Sequence, residues 1–271
     1  MPDRIDVPFC HANGRDLCLD IYEAAPGYDR RTAVIYVHGG GWKRGDRTMA
    51  AGHARLLAAQ GFTTVACEYR LLGESPWPAM LDDVRAAIAW VRGHADELGI
   101  EPERIALQGH SAGGHLSLLA AGTAEADGAV AAVAAFYAPV TFHVGPGRGH
   151  GTTPADSLLG DDATEQQARE ASPLSHVSSD FPPTFFLHGG ADRIVVPSAS
   201  VVMYEALRKA GVPTDMHLYA GQAHGFDRVN VMRELVNQEV VLFLRRTVSE
   251  RDEIERQVLA ENPFATVGAG A

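Results

Sequence analysis

A serine between glycines is the residue of this sequence best placed to do chemistry. The segment Gly-His-Ser-Ala-Gly-Gly at 109–114 follows an apolar run at 105–108 and precedes an apolar helical pattern that starts at Leu116. A sharp strand-to-helix turn needs glycines two positions either side of the serine, because side chains there would clash with neighbouring backbone. The turn presents the hydroxyl at a helix N-terminus, which favours developing negative charge. The pattern predicts Ser111 as a nucleophile, with an ordinary glycine-rich turn as the alternative.

A second group of glycines, His-Gly-Gly-Gly-Trp at 38–42, directly follows the apolar run 33–37. Consecutive glycines leave backbone N–H groups free to turn toward one point, as the oxyanion of a tetrahedral intermediate requires. A nucleotide-binding loop is the alternative, and the spacing rejects it. A dinucleotide fingerprint starting at Gly39 needs glycine where Arg44 stands, and no Gly-Lys-Ser/Thr of a P-loop occurs in the sequence.

Two further residues are placed to complete the system that activates a serine. Asp192 follows the apolar run 184–187 and two glycines, and His224 follows a run at 215–219. Nucleophile, acid and base in this chain order are typical of α/β-hydrolases, in which the acid orients the histidine that takes the serine proton. Weaker candidates, which follow no strand end so directly or lie within a strand, are Asp180, Asp215, Asp227 and His217.

The other polar and aromatic residues near these motifs have less specific interpretations. His110, Trp42 and Phe142 are predicted to contact the substrate. The alternatives are a packing role for His110, support of the glycine loop for Trp42, and a mobile surface loop without substrate contact for Phe142. The histidines show no His-Glu-x-x-His or other metal-ligand spacing. We therefore expect a reaction that uses neither a metal ion nor another cofactor.

The elements that must position these residues alternate along the chain. Strands are predicted at 33–37, 62–67, 105–108, 130–137, 184–187 and 215–219, and helices at about 46–60, 79–98, 112–124, 198–210 and 229–248. Strands that are apolar throughout indicate a parallel sheet with helices on both faces. The alternation predicts an α/β fold, a three-layer sandwich with a central, mostly parallel sheet. Segments 4–9 and 16–22 are predicted to form an antiparallel edge hairpin around Asn13-Gly14.

Two regions interrupt this alternation. Residues 138–182 are rich in glycine and proline, with a short helical stretch near 162–171, and a long insertion in a compact domain is usually functional or mobile. We predict that this insertion forms a small cap or lid on a single domain, 1–248. Its expected pocket walls are Phe142, His143 and Leu158 or Leu159, and Arg148 either meets a polar or acidic substrate group or is solvated. The charged tail 249–271 is predicted to be a solvated helix that frays at its end.

Composition narrows the class of partner. The chain has 271 residues, 46% of them hydrophobic, which is enough for a sizeable core, and its formal net charge is −11. This charge repels nucleic acid and anionic membranes, so a small-molecule acyl substrate is the expected partner, and a homo-oligomer remains open. The sequence shows no secretory signal, and its longest near-apolar run, 129–140, is shorter than the about 20 residues that cross a bilayer. Cys10, Cys18 and Cys67 form no Cys-x-x-Cys pair and are expected to be reduced thiols of a cytoplasmic protein.

The motifs together resemble those of the hormone-sensitive-lipase-like esterases. They are still more similar to the related short α/β-hydrolases, which include bacterial carboxylesterases, feruloyl-esterase-like enzymes and kynurenine formamidases. The resemblance runs from about 30 to 245 and rests on 38–42, Glu-Tyr-Arg-Leu at 68–71, 109–114, Ser-Pro-Leu at 172–174, Gly-Ala-Asp at 190–192, Val-Pro at 196–197 and Ala-His-Gly-Phe at 223–226. It implies that the N–H groups of Gly40, Gly41 and Ala112 are the oxyanion donors, with Gly39 as an alternative to one of them.

The sequence departs from the hormone-sensitive-lipase branch in two ways. Little chain precedes the glycine motif at His38, where that branch usually has a longer helical cap. His110 stands where that branch usually has aspartate. Both departures favour the shorter group and argue against long-chain lipid substrates.

The resemblance implies hydrolysis of small or medium carboxylic esters through an acyl-enzyme on Ser111. An amide hydrolase such as an arylformamidase is the alternative, since it shares the same residues and differs in its pocket and leaving group. A peptidase is less favoured, because the sequence contains no propeller or other gating domain. A non-catalytic receptor on the same fold is also conceivable, but such receptors usually have a broken triad, and all three residues are present in this sequence.

Overall fold

A central eight-stranded sheet organises the chain. The computed structural model describes residues 1–28, 30–125, 128–145, 153–154 and 156–265. The strands are β1 (Arg4–Ala12), β2 (Arg15–Tyr22), β3 (Ala33–Val37), β4 (Thr63–Cys67), β5 (Ile105–His110), β6 (Ala132–Phe136), β7 (Phe142–His143), β8 (Thr153–Pro154), β9 (Thr184–Gly189) and β10 (Thr214–Tyr219). The predicted strands all form, with ends shifted by at most three residues.

The strand order in the large sheet is β1-β2-β4-β3-β5-β6-β9-β10, and β7 and β8 form a separate small ladder. Strand β2 runs antiparallel to both its neighbours, while every other neighbouring pair in the large sheet is parallel. The hairpin of β1 and β2 turns at Asn13 and Gly14, whose φ angles of 50° and 74° are left-handed. The predicted mostly parallel sheet with an antiparallel edge hairpin is therefore confirmed.

Helices cover both faces of this sheet. They are α1 (Ala51–Ala59), α2 (Ala79–Gly93), α3 (Ala112–Gly122), α4 (Asp156–Leu159), α5 (Glu165–Glu170), α6 (Ser198–Lys209), α7 (Asn230–Leu244) and α8 (Arg251–Glu261). Short 3-10 helices span Arg47–Ala50, Pro173–His176 and Phe226–Arg228, and a π-helical turn spans Arg245–Ser249. The helix predicted over 79–98 ends at Gly93 and continues as turns. Among the described helices, none combines the length and apolar character needed to cross a membrane.

Alternating side chains of the buried strands divide the core into two layers. Ile35 belongs to the same buried cluster as Val84 of α2, whereas the adjacent Val34 belongs to the cluster with Leu57 of α1 and Val240 of α7. All five side chains are fully buried. Because burial of such a side chain contributes roughly 1.5–3 kcal/mol, apolar packing on both faces holds the three layers together.

The described part of the insertion 138–182 packs on this core. Phe142 and Leu158 are 5% and 2% exposed and join the main buried cluster, and the backbone N–H of Phe142 donates to Ser172 Oγ at 2.9 Å. Arg148 lies among 146–152, outside the described residues. The lid is therefore still a prediction. Beyond α8, residues 266–271 of the predicted frayed tail also lie outside the described part.

Candidate active site

Ser111 occupies a strained turn between β5 and α3. Its backbone angles φ and ψ are 53° and −117°, a conformation that residues other than glycine rarely adopt. A Cβ at Gly109 would lie 2.3 Å from the carbonyl oxygen of Gly113, and a Cβ at Gly113 would lie 2.1 Å from that of Val37. Side chains cannot fit at either position, which confirms the steric reason for the glycines around Ser111.

The three residues predicted to act together meet at one edge of the sheet. His224 Nε2 lies 3.0 Å from Ser111 Oγ, and His224 Nδ1 lies 2.7 Å from Asp192 Oδ2. They follow β10, β5 and β9, and the carboxyl ends of parallel strands lie at a common edge. Because the carboxylate accepts from Nδ1–H, the lone pair of Nε2 is free to accept the serine proton.

Asp192 is held as an ionised, fixed acceptor. Its Oδ1 accepts the backbone N–H groups of Ile194 and Val195 at 2.8 and 3.0 Å, and its Oδ2 lies 3.3 Å from His188 Nε2. Burial alone would raise the pKa of Asp192, but hydrogen bonds from His188, His224 and the backbone outweigh it and hold the pKa below its usual value. Asp192 is therefore a carboxylate throughout the neutral pH range.

His188 was not singled out from the sequence. Its Nδ1 lies 2.7 Å from Ser200 Oγ and its Nε2 lies 2.9 Å from the carbonyl oxygen of Val195, so the ring is fixed on both sides. The one sequence feature that could have indicated its role is its position at the end of a predicted strand, four residues before Asp192. The imidazole supports the loop that carries Asp192.

The alternative acids and histidine occupy other surroundings. Asp180 is exposed, Asp215 of β10 pairs with Arg246, and His217 pairs with Glu239. Asp227 is buried, but it contacts other histidines and not His224. The geometry thus favours Asp192 over these competitors.

The glycine loop at 38–42 is shaped by close backbone contacts. A Cβ at Gly39 would lie 2.7 Å from the carbonyl oxygen of His110, and Gly40 has a φ of 131°. Tyr69 Oη donates to the carbonyl oxygen of His38 at 2.9 Å, and the two rings stack with centroids 4.1 Å apart. The Glu-Tyr-Arg-Leu segment thus supports the loop through the hydroxyl of Tyr69.

Three backbone donors beside Ser111 are unused. Within the described residues, the N–H groups of Gly40, Gly41 and Ala112 donate to no protein acceptor. Ala112 is the first residue of α3, so its N–H has no partner inside the helix. The family resemblance implied an oxyanion-donor role for these same three groups, and that role is still a prediction.

A cavity of about 630 Å³ adjoins Ser111 and His224. His110 lines it, as predicted, together with the three glycines of the 38–42 loop. Trp42 and Phe142 do not line it. Trp42 Nε1 donates to His115 Nδ1 at 3.2 Å, and both aromatic rings pack on that imidazole in the core. Their predicted substrate contacts are therefore replaced by packing roles, because burial beside His115 satisfies both side chains.

A buried polar network closes the inner end of this cavity. Asp227 Oδ2 lies 3.0 Å from both His53 Nε2 and His110 Nδ1, and Asp227 Oδ1 accepts from Tyr137 Oη at 2.5 Å. Burial would raise the pKa of Asp227, but the two histidines lower it well below its usual value. Sequence spacing gave no signal for this network, since its members come from four separate elements.

The donor atoms of His53, His110 and Asp227 all lie within 4.8 Å of one another, close enough to hold a metal ion. The side-chain amide of Asn237 argues against metal binding at this site. Asn237 Nδ2 donates to the carbonyl oxygen of Arg233 at 2.7 Å and to His53 Nδ1 at 2.8 Å. His53 therefore carries its proton on Nε2, which faces Asp227, whereas a metal would need the lone pair there. The arrangement fits a hydrogen-bonded carboxylate.

We expect activity to be retained after dialysis against EDTA, since neither the triad nor the His53 network offers a ligand set in the required protonation state. The measurement is the rate of ester hydrolysis before and after dialysis, compared with a sample dialysed without chelator. A loss that added Zn²⁺ restores would contradict this expectation.

We expect the free energy of unfolding to fall as the pH decreases from 6.5 to 4. Burial lowers the pKa of His53 and of His115 to about 4, and the hydrogen bonds that they donate, to Asp227 and to the carbonyl oxygen of Ala171, offset only part of this effect. In the unfolded chain both regain a pKa of about 6.5, so below that pH the unfolded state binds protons that the folded state does not. Each histidine should contribute a slope of roughly 1.4 kcal/mol per pH unit in this window.

Urea unfolding followed by circular dichroism across that window measures this slope. His115→Gln should reduce it, whereas His11→Gln, at an exposed position, should leave it unchanged. A free energy of unfolding that is independent of pH across the window would contradict the expectation.

The strand order, the turn at Ser111 and the Ser–His–Asp geometry define the class: this is an α/β-hydrolase fold with a serine-hydrolase type of site. The chain belongs to the family described as BD-FAE, which matches residues 19–207.

Similar proteins are named as esterases. Esterase LipC of Mycobacterium tuberculosis is 30% identical over 83% of this chain and 61% of its own length. Esterase LipQ of the same organism is 32% identical over 87% of this chain and 60% of its own length. The chain thus spans about three fifths of the length of these curated relatives. A thermophilic esterase of Thermogutta terrifontis, esterase 2, has a similar structure, with a TM-score of 0.74 and 26% identity over 97% of this chain and 95% of that chain.

Proposed function

We propose that this chain is a serine hydrolase that cleaves carboxylic esters through an acyl-enzyme on Ser111. The observation that carries the proposal is the continuous hydrogen-bonded series from Ser111 Oγ through His224 to Asp192, with distances of 3.0 and 2.7 Å. A serine on a left-handed turn, next to an imidazole whose tautomer is set by a carboxylate, is the arrangement that activates a hydroxyl for attack.

The proposed reaction has two halves. His224 Nε2 takes the proton of Ser111 as Oγ attacks the ester carbonyl carbon, and the carbonyl oxygen becomes an oxyanion. Collapse of this intermediate breaks the bond to the alkoxy oxygen, which leaves as the alcohol with the proton from His224. Water then attacks the acyl-enzyme in the same way, with His224 as base, and releases the acid and free Ser111. Asp192 stabilises the imidazolium in both halves.

The oxyanion in this proposal is held by the N–H groups of Gly40, Gly41 and Ala112. All three are free of protein acceptors in the described structure, and Ala112 starts α3, whose N-terminus favours negative charge. Loss of one such donor typically costs about 100- to 1000-fold in rate.

Small or medium esters are the proposed substrates. A cavity of about 630 Å³ is in the usual size range of small-molecule sites. Structures of the Thermogutta terrifontis esterase are described with propionate and with butyrate bound. The relatives named above are esterases, which favours ester over amide cleavage, and no observation specifically favours the arylformamidase alternative.

A panel of para-nitrophenyl esters of increasing acyl length, assayed beside N-formylkynurenine, tests the proposal. We expect the highest kcat/KM for short acyl chains and stoichiometric labelling of Ser111 by a fluorophosphonate; the Thermogutta esterase is described as phosphorylated by paraoxon. A higher kcat/KM for the formamide would favour the amide hydrolase. If the protein showed no labelling and no turnover, a non-catalytic receptor would be favoured.

A further inference from the structure

Three arginines line the cavity beside Ser111. Arg44 follows the glycine loop, Arg228 lies four residues after His224, and Arg233 lies in the first turn of α7. None of them contacts the triad, and nothing in the proposed ester hydrolysis uses a cation at this place.

None of these three arginines has a carboxylate partner. Elsewhere Arg47 pairs with Asp6, Asp20 and Glu68, and Arg70 pairs with Asp83. Within the described residues, no carboxylate oxygen forms a salt bridge with Arg44, Arg228 or Arg233. Three guanidinium groups without a carboxylate partner around one cavity leave N–H donors available to an anionic ligand.

Arg233 is held in position on the cavity wall. Its Nη1 donates to Asn230 Oδ1 at 3.0 Å and its Nη2 donates to the carbonyl oxygen of Arg228 at 2.7 Å. A Cβ at Gly52 of α1 would lie 2.5 to 2.6 Å from Nη1, Cζ and Nε, so the guanidinium lies flat on this glycine. These contacts use two of the five N–H donors of an arginine, and the others remain for a ligand.

Asp227, which also lines the cavity, does not neutralise these arginines. Its two oxygens are occupied by His53, His110 and Tyr137. The cavity wall therefore carries three positive charges and one negative charge, although the whole chain has a net charge of −11. Such a wall attracts anions by charge, and the planar guanidinium fork can hold a carboxylate through two parallel hydrogen bonds.

We propose that this cavity selects esters that bear a free carboxylate, which binds to Arg233 together with Arg228 and Arg44. This inference rests on the proposed ester hydrolysis and adds the class of substrate. The ester carbonyl occupies the position next to Ser111 Oγ. The carboxylate lies further along the cavity, on the part of its wall formed by Arg44, Arg228 and Arg233, which we call the arginine wall.

Two pairs of matched esters test the preference, one for each side of the scissile bond. The first pair is monoethyl adipate and its terminal carboxamide, and the second is para-butanoyloxybenzoate and its carboxamide. The two members of each pair are nearly equal in size and differ in charge, so the ratio of kcat/KM within a pair, divided by the ratio of their rates of hydrolysis by hydroxide, reports the effect of the carboxylate. We expect a ratio of about 10 to 100 for at least one pair, and a decrease in that ratio at high salt.

Variants assign the preference to the arginine wall. Arg233→Gln should lower the ratio at least about 10-fold, and Gly52→Ala should lower it as well, because the added methyl displaces the guanidinium. Alanine is the better helix former, so this second variant is expected to stay folded. Arg208→Gln, an exposed arginine of α6 outside the cavity, is the matched control and should keep the wild-type ratio.

Calorimetry on Ser111→Ala gives a readout that does not depend on turnover. Monoethyl adipate should bind at least about 10-fold more tightly than its carboxamide. Ratios of one or below in both ester pairs, with neutral esters still hydrolysed, would overturn the carboxylate preference and leave the ester hydrolase intact. Absence of any hydrolysis would overturn the proposed function, and equal calorimetric affinities would then overturn the preference too.

Discussion

Ser111→Ala is expected to lower kcat by at least about 1000-fold while the protein stays folded. The substitution removes the atom that His224 Nε2 approaches to 3.0 Å and leaves the glycine contacts of the turn in place. Alanine also tolerates the turn no worse than serine does, since both carry a Cβ. Steady-state hydrolysis of a para-nitrophenyl ester measures the loss, and circular dichroism checks the fold.

Fluorophosphonate labelling provides the control for this result. Ser178→Ala, at an exposed serine away from the cavity, should be labelled and turn over as the wild type does. Ser111→Ala should show no label. Near wild-type turnover by Ser111→Ala would remove the basis of the proposed mechanism.

Asp192→Asn is expected to lower kcat by about 1000- to 10000-fold with little change in structure. Asp192 Oδ1 accepts the N–H groups of Ile194 and Val195, and the asparagine oxygen must stay there to satisfy them. The new amide nitrogen then faces His224 Nδ1, where the carboxylate oxygen was. Because an amide N–H donates, the ring becomes protonated on Nε2 and can no longer accept the serine proton.

The kcat of Asp192→Asn, measured beside that of Asp180→Asn, distinguishes this mechanism from a general effect of removing a charge. Asp180 is exposed and should tolerate the substitution without loss of rate. The thermal unfolding midpoint should show that Asp192→Asn is folded at the assay temperature. A folded Asp192→Asn protein with undiminished kcat would show that the acid has been assigned wrongly.

Much of the candidate site could be predicted from local sequence. The glycines around Ser111 and the loop at 38–42 follow from steric rules that act within a few residues, and the structure has the left-handed serine and the close contacts that those rules require. The strands could be placed because side chains buried on both faces of a parallel sheet must be apolar throughout. The chain order of Ser111, Asp192 and His224 then followed from the order of the strand ends.

Predictions about which side chains surround the substrate were less accurate. Trp42 and Phe142 were expected in the pocket, yet they pack on His115, because an aromatic ring beside a glycine motif fits a pocket wall and a core equally well by sequence. The network around Asp227 was not foreseen. Its histidines come from α1 and β5, and no spacing pattern in the sequence predicts that these two elements bring them into contact.

The sequence by itself determined the order of elements and the turn that carries Ser111, since both depend on residues that are neighbours in the chain, and it predicted His224 as the base from the order of the strand ends. Only the tertiary structure decided that Asp192 faces His224 while Asp227 serves His53 and His110. It also decided that Arg44, Arg228 and Arg233 share a cavity without a carboxylate partner. The physical reason is that charge pairing and cavity shape depend on distances between side chains brought together from distant parts of the chain, which local pattern does not encode.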